Sequence, residues 1–265
     1  MAVDDDELEV IVVDQSSDGR SAETAAAFGD SRLVYRRMEG KGKSRALNLG
    51  LAHARHEVVG LVDDDIEVPA RWVEGGRRLL MARPRVALIF GAVRAAPHDP
   101  SQSFVPVFRP TGTRLLKSRA TIPLPGLGMG ANAFVRKSAV LTIGGWDEQL
   151  GPGSVGRSGD DWDLAYRLLR AGREVMVTPA LEVTHSGARN YRDGSVRRLI
   201  QNNYYGIGYG LARQVRDRDF AAGVLLSSTA FRCAIEITRN VALGQRPLGA
   251  RRLLSLLSGV KHACV

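Results

Sequence analysis

Cysteine is nearly absent. Cys233 and Cys264 are the only two in 265 residues, both late and without metal-ligand spacing. That excludes a disulfide framework and a zinc site, and it fits a reducing compartment. Met1 to Glu7 is acidic and holds no apolar run, so no secretory signal is read there and a cytoplasmic location is expected. The apolar run Phe220 to Phe231 stops at Arg232 after about a dozen residues, short of the roughly 18 that a membrane span needs. No internal repeat is apparent. Basic excess is missing from most of the chain, although the net charge is +9. From Arg189 onward 13 Lys/Arg face 4 Asp/Glu, and the first 188 residues hold 24 of each sign. A core that binds nucleic acid is itself basic. This one is neutral, so no nucleic-acid partner is expected, and whatever meets the positive charge meets the tail.

What is present is ordinary in amount, 44% hydrophobic and 25% charged, and long enough for one domain of about 200 residues with an appendage. We place the domain at residues 1–188 and a basic helical tail at 189–265. Apolar runs at Leu8–Val13, Leu33–Tyr35, Glu57–Val62 and Val86–Gly91 read as strands. Helix-like stretches at about Ser21–Phe28, Ser44–Ala54 and Ala70–Met81 separate them, which predicts α/β with a largely parallel sheet. Residues 98–124, with several prolines, read as a long loop. Ala131–Val135 reads as a strand, Ser138–Ile143 as a short helix and Asp160–Arg170 as a strong one with acids at its start. Glu174–Val177 and Ala180–Thr184 are two further extended runs.

The chemistry concentrates in two acidic clusters and one basic turn. Asp63-Asp64-Asp65 closes an apolar strand, where open α/β sheets bind their ligands. Hard oxygen donors there suit Mg²⁺ or Mn²⁺ that also holds substrate phosphates; the alternative is a solvated acidic turn. Lys41, Lys43 and Arg45 form a glycine-loosened entrance to a helix, suited to a diphosphate or else simply solvated. Asp14, at a strand end, would accept a hydrogen bond from a base or cap the turn that follows. Gly159-Asp160-Asp161-Trp162-Asp163-Leu164 places two adjacent carboxylates at a helix start.

Taken in order, four blocks resemble the inverting family 2 glycosyltransferases. They are Glu9-Val-Ile-Val-Val-Asp-Gln-Ser-Ser-Asp-Gly19, Gly40-Lys-Gly-Lys-Ser-Arg-Ala-Leu-Asn-Leu-Gly50, Leu61-Val-Asp-Asp-Asp65, and Gly144-Gly-Trp-Asp-Glu148 continuing to Gly159–Leu164. The resemblance covers about two thirds of the chain. It implies the GT-A fold, a mostly parallel sheet flanked by helices, here with a C-terminal helical tail. It implies Asp161 as the base that takes the acceptor's proton. Asp14, Lys43, Arg45 and Asp63 would hold a UDP- or dTDP-sugar. Asp65 and His185 would hold Mg²⁺ or Mn²⁺, and Asp160, Trp162 and Asn132 would meet a saccharide or lipid-linked acceptor. Gly151 to Gly159 would be a mobile loop closing over donor. The basic amphipathic stretch Arg251–Leu257 would touch the inner face of a membrane or cap the domain. A non-catalytic glycan- or membrane-binding relative and a sugar nucleotidyltransferase are the rival readings.

The resemblance opens on what is ordinarily the family's second strand. A preceding central strand and its nucleotide-binding loop are expected, lying upstream or supplied by a neighbouring chain; without them backbone groups stay unpaired and part of the core uncovered.

Overall fold

The computed structural model describes residues 8–245 and 247–264; the acidic Met1–Glu7 stretch lies outside the described residues. Four apolar residues in succession make β1 (Val10–Asp14), and the alanine-rich α1 (Arg20–Phe28) ends at Gly29 in the left-handed region. β2 (Leu33–Arg37) returns parallel to β1, with Val10 opposite Leu33. α2 (Lys43–His53) leads to β3 (Val58–Leu61), and the acid triplet is the turn into the two-residue β4 (Ile66–Glu67). α3 (Trp72–Met81) precedes β5 (Val86–Ala95), whose first eight residues are all buried. The predicted long loop carries two short strands, β6 (Ser103–Phe104) and β7 (Arg114–Leu116). Then come β8 (Ala133–Arg136), α4 (Lys137–Thr142) and α5 (Asp160–Arg170). The two last extended runs are one strand, β9 (Glu174–His185), followed by β10 (Arg189–Asn190). From Ser195 the tail forms three helices, α6 (Ser195–Arg216), α7 (Phe220–Ala242) and α8 (Leu248–Ala263).

The main sheet runs β3-β8-β5-β9-β4, with β7 on the side of β9. It is mixed rather than mostly parallel. β5 and β9 are parallel, whereas β8 lies antiparallel between β3 and β5, and β4 and β7 lie antiparallel to β9. The cause is connection type: a parallel neighbour needs a crossover, usually an α-helix, and the segment entering β8 is a long return without one. β1 and β2 form a separate two-stranded sheet.

One apolar core joins the sheet to the tail across residue 188, for Phe90, Val135, Leu164 and Leu168 pack in the same cluster as Ile207, Leu211, Leu225 and Leu256. A second cluster, with Trp72, Leu80, Ile89, Phe134 and Met176, seats α3 on the opposite face. α7 corrects the expectation of a short apolar run. It continues through Arg232 for 23 residues and is long and apolar enough to cross a membrane by length and composition. Arg232 is exposed and donates to the Leu124 carbonyl. Ala222, Leu225, Thr229 and Cys233 are buried, while Phe220, Val224, Phe231 and Ile235 are exposed.

Candidate active site

A cavity of about 1900 Å³ opens at the carboxyl ends of β1 and β3, and Asp14, Lys43, Asp63, Asp65, Asp160, Asp161, Trp162 and His185 all line it. Residues far apart in sequence meet here because two strand ends, two helix starts and the end of β9 converge.

Lys43, in the first turn of α2, donates from Nζ to Asp63 Oδ1 at 2.6 Å. Burial works against its charge, but Asp161, Asp63 and Asp160 outweigh it and raise its pKa above the ordinary lysine value. It is therefore a fixed cation amid carboxylates. Asp64 points to solvent. Asp14 accepts from the Ser16 amide on Oδ1 at 2.8 Å, and from Ser16 Oγ and the Tyr35 hydroxyl on Oδ2 at 2.8 and 2.7 Å. The Tyr35 and Ser16 bonds hold its carboxyl below the usual range. It both caps its turn and faces the cavity.

Asp65 and His185 meet as the spacing alone could not show. His185 Nε2 lies 3.2 Å from Asp65 Oδ2, and His185 Nδ1 lies 2.9 Å from the Pro106 carbonyl. A proton on Nδ1 donated to that carbonyl leaves the Nε2 lone pair facing the site. Asp65 Oδ1 is buried with no partner. Gly187 makes the room: a Cβ there would sit 2.1 Å from Asp65 Oδ2 and 2.6 Å from His185 Nε2. An orphaned carboxylate oxygen beside an imidazole nitrogen fits a hard divalent cation. Among the described residues no three His, Cys, Asp or Glu side chains form a complete metal set. The pair would need substrate phosphates to finish the shell.

The second cluster sits at the start of α5. Gly159 precedes the helix in the left-handed region, and Asp160, Trp162 and Asp163 are buried. Asp161 Oδ2 accepts the Gly130 amide at 2.8 Å. Burial and the neighbouring Asp160 push Asp161 up to about 7, against the opposing pull of Lys43 and the Gly130 amide. Asp160 is raised as well, mainly by burial. Asp163 faces away and is bound by Arg167 Nε at 2.7 Å. A carboxylate titrating near neutrality in a cleft is suited to general-base work.

Three expectations change. Arg45 lies outside the cavity, half-exposed and 4.0 Å from Glu148, because its place on α2 turns it toward the Trp146-Asp147-Glu148 segment. Asn132 is fully buried and holds backbone instead of meeting acceptor. Its amide donates to the Ala92 and Leu181 carbonyls across the irregular β5–β9 pairing and accepts from Trp72 Nε1. The Gly151–Gly159 loop is stitched down: Lys43 N donates to Pro152 O, Ser44 Oγ to Leu150 O, and Arg157 stacks over Tyr205. Trp162 keeps an edge on the cavity but packs against Gly159, Gly210 and Tyr166. Sequence reading missed Gly187, Tyr35 and the Gly130 amide; a glycine two residues after His185 was the one available signal.

Comparison with known proteins bears on this geometry. The chain is 27% identical over 266 residues to the pre-mycofactocin glycosyltransferase of Mycobacterium tuberculosis, covering 97% of this chain and 52% of the relative, so it spans about half that protein's length. Among solved structures it resembles a Pyrobaculum calidifontis mannosyltransferase in complex with GDP-Man and Mn²⁺, with TM-score 0.60, 18% identity, and 98% and 78% of the two chains covered. It also resembles S. aureus TarS in complex with UDP, at TM-score 0.51 and 16% identity over 76% and 56%. These likenesses give the fold as GT-A. Residues 2–144 match the sequence profile of glycosyl transferase family 2, and the chain belongs to that family.

Proposed function

We propose that the chain transfers a sugar from a nucleotide-sugar donor to an acceptor hydroxyl with inversion, and that Asp161 is the base. The observation that carries this is Asp161 itself, half-buried at a helix start, lining the cavity and poised at about 7. The acceptor oxygen attacks the anomeric carbon as the bond to the diphosphate breaks; the hydroxyl proton passes to Asp161, and the nucleoside diphosphate leaves with its negative charge. Lys43 meets that charge. Asp65 and His185 would hold Mg²⁺ or Mn²⁺, which supplies further positive charge to the diphosphate. Asp14 Oδ1 keeps a lone pair for the imide N–H of a uracil or thymine base, supporting a UDP- or dTDP-sugar.

The acceptor side is rimmed by Phe104, Pro106, Leu199, Ile200 and Arg189, a mixture suited to a saccharide carried on a lipid. We extend the reading to peripheral contact with an anionic membrane surface through α7 and α8. Phe220 (90% exposed), Val224, Phe231 and Ile235 form one stripe on α7, and Leu254 and Leu257 are exposed on α8. From Ile237 to Val265 there is no Asp or Glu. Such a face pairs apolar insertion with cationic attraction to lipid.

The test is calorimetric titration with UDP and Mn²⁺, comparing the parent chain with Asp65→Ala, followed by dTDP and GDP. Metal-dependent binding that Asp65→Ala abolishes is the expected result. Equal binding by both chains would remove Asp65 from the donor site.

A further inference from the structure

A second cavity lies among the tail helices, apart from the acidic site. It holds about 270 Å³ between Tyr204 of α6, Arg232, Cys233 and Glu236 of α7, and Arg252 of α8. Thr229 and the Leu124-Pro125 segment complete its lining, and that segment also borders the large cavity. The volume falls below the roughly 300 Å³ at which small-molecule sites usually begin. It suits one small group rather than a nucleotide or a sugar chain.

The lining is rich in donors and poor in acceptors. Arg232 Nη2 donates to the Leu124 carbonyl and to Thr229 Oγ1, and Thr229 Oγ1 itself donates to the Leu225 carbonyl. Arg252 Nη1 donates to both oxygens of Glu236 at 2.7 Å, and its guanidinium lies 5.6 Å from the centroid of the Tyr204 ring. Among the described residues no hydrogen-bond partner is found for Arg232 Nε and Nη1, for Arg252 Nε and Nη2, or for the Tyr204 hydroxyl. Tyr204 is only 9% exposed, and a hydroxyl so buried is ordinarily bonded. Arg252, Cys233, Glu236 and Arg232 are the groups whose charges act on it, which places it on the pocket side of the ring. Burial raises its pKa, so it keeps its proton and can donate. Glu236 is the one carboxylate in the lining against two guanidiniums, so the pocket is positive.

Whatever satisfies these groups is small, anionic and made of acceptors. A carboxylate brings two oxygens and one charge. A phosphate brings more of both, and each guanidinium can pair with it through two parallel N–H groups. We propose that this pocket binds a terminal phosphate group, held by Arg232, Arg252 and the Tyr204 hydroxyl, either as inorganic phosphate or as the end group of a phosphomonoester lipid. The lipid source rests on the membrane contact proposed above. Arg232 follows Phe231 of the exposed stripe on α7, and Arg252 lies two residues before the exposed Leu254 on α8, so the pocket borders the face that would meet lipid.

Titration of the full chain with inorganic phosphate in EDTA, read by amide NMR shifts, tests the site without metal, nucleotide or membrane. Its failure is therefore separable from failure of the donor and membrane readings. Saturable shifts at the amides of Tyr204, Thr229, Cys233 and Arg252 are expected. Arg232→Gln and Tyr204→Phe should each weaken the affinity by about tenfold, whereas Lys43→Gln in the large cavity should leave it unchanged. The proposal is overturned if no shifts appear, if they appear only around Lys43, or if Arg232→Gln and Tyr204→Phe both titrate like the parent. Vesicles of phosphatidic acid and of phosphatidylserine, matched in charge, then separate the two sources. A lipid end group predicts a preference for phosphatidic acid that Arg232→Gln removes. Equal binding to both vesicles, with the phosphate titration intact, assigns the pocket to soluble phosphate.

Discussion

Asp161 and Gly187 show how single residues trade stability against chemistry. The ordinary carboxylate value is 3.8, and burial raises that of Asp161 to about 7. The folded chain therefore holds this proton more tightly than the unfolded one. Its stabilising contribution is complete below about pH 3.8 and is lost as pH rises through about 7. Asp161→Asn stays neutral throughout, so its melting temperature should exceed that of the parent at pH 8, with the gap closing toward pH 4. The same variant should lose transfer by about 10²- to 10⁴-fold. A gap that does not change with pH, or retention of more than about a tenth of the rate, removes Asp161 as the base. Gly187→Ala addresses the metal pair. Its Cβ would press on Asp65 and His185, so Mn²⁺-dependent UDP binding should weaken by about tenfold or more with little change in melting temperature. Unchanged affinity would show that the pair does not hold the ion.

At the scale of elements, packing overrides propensity in the tail. α6 carries Gly206, Gly208 and Gly210 in its interior, where alanine would favour the helix by about 1 kcal/mol at each position. Gly208 cannot take that gain: a Cβ there would lie 2.0 Å from the Leu256 carbonyl of α8. Gly223 in α7 is the control, with its nearest neighbour, Val215 Cγ2, at 3.8 Å. Gly208→Ala should lower the melting temperature and Gly223→Ala should raise it by a few degrees. A rise in both would mean that α6 and α8 are not in close contact. Asp219 fixes the start of α7 by accepting the Ala221 amide at 3.1 Å and binding Arg119 and Arg170, which ties the tail to the loop before β8 and to α5.

For the molecule as a whole, charge divides between a neutral stretch, residues 1–188, and a basic tail, and the proposed membrane contact belongs to the tail. Vesicle co-sedimentation checks that contact. Binding to vesicles rich in anionic lipid should exceed binding to neutral ones, weaken with added salt, and fall sharply in Phe220→Ser/Phe231→Ser. Equal sedimentation of parent and double variant would leave the apolar stripe without a membrane role.

Much of this was legible one residue at a time. The run Val86–Gly91 announces a buried strand, Asp160–Arg170 has the bounds of its helix written in Gly159 and Ala171-Gly172, and Asp63-Asp64-Asp65 marks a strand end that opens on the cavity. Local pattern suffices there because burial period, caps and charge are properties of neighbours in sequence. Direction and pairing are not. Nothing in Ala133–Arg136 tells that it inserts antiparallel between β3 and β5, and Arg114–Leu116 becomes a strand only because the edge of β9 accepts it. Asn132 and Arg45 have the right chemistry for the site, yet one is claimed by unpaired carbonyls of the β5–β9 irregularity and the other is turned toward Glu148. The sequence by itself determined which residue types are available to bind a diphosphate, a metal and an acceptor proton. Tertiary structure alone decided which of them face one cavity, because buried polar groups go first to whatever backbone would otherwise be left unpaired.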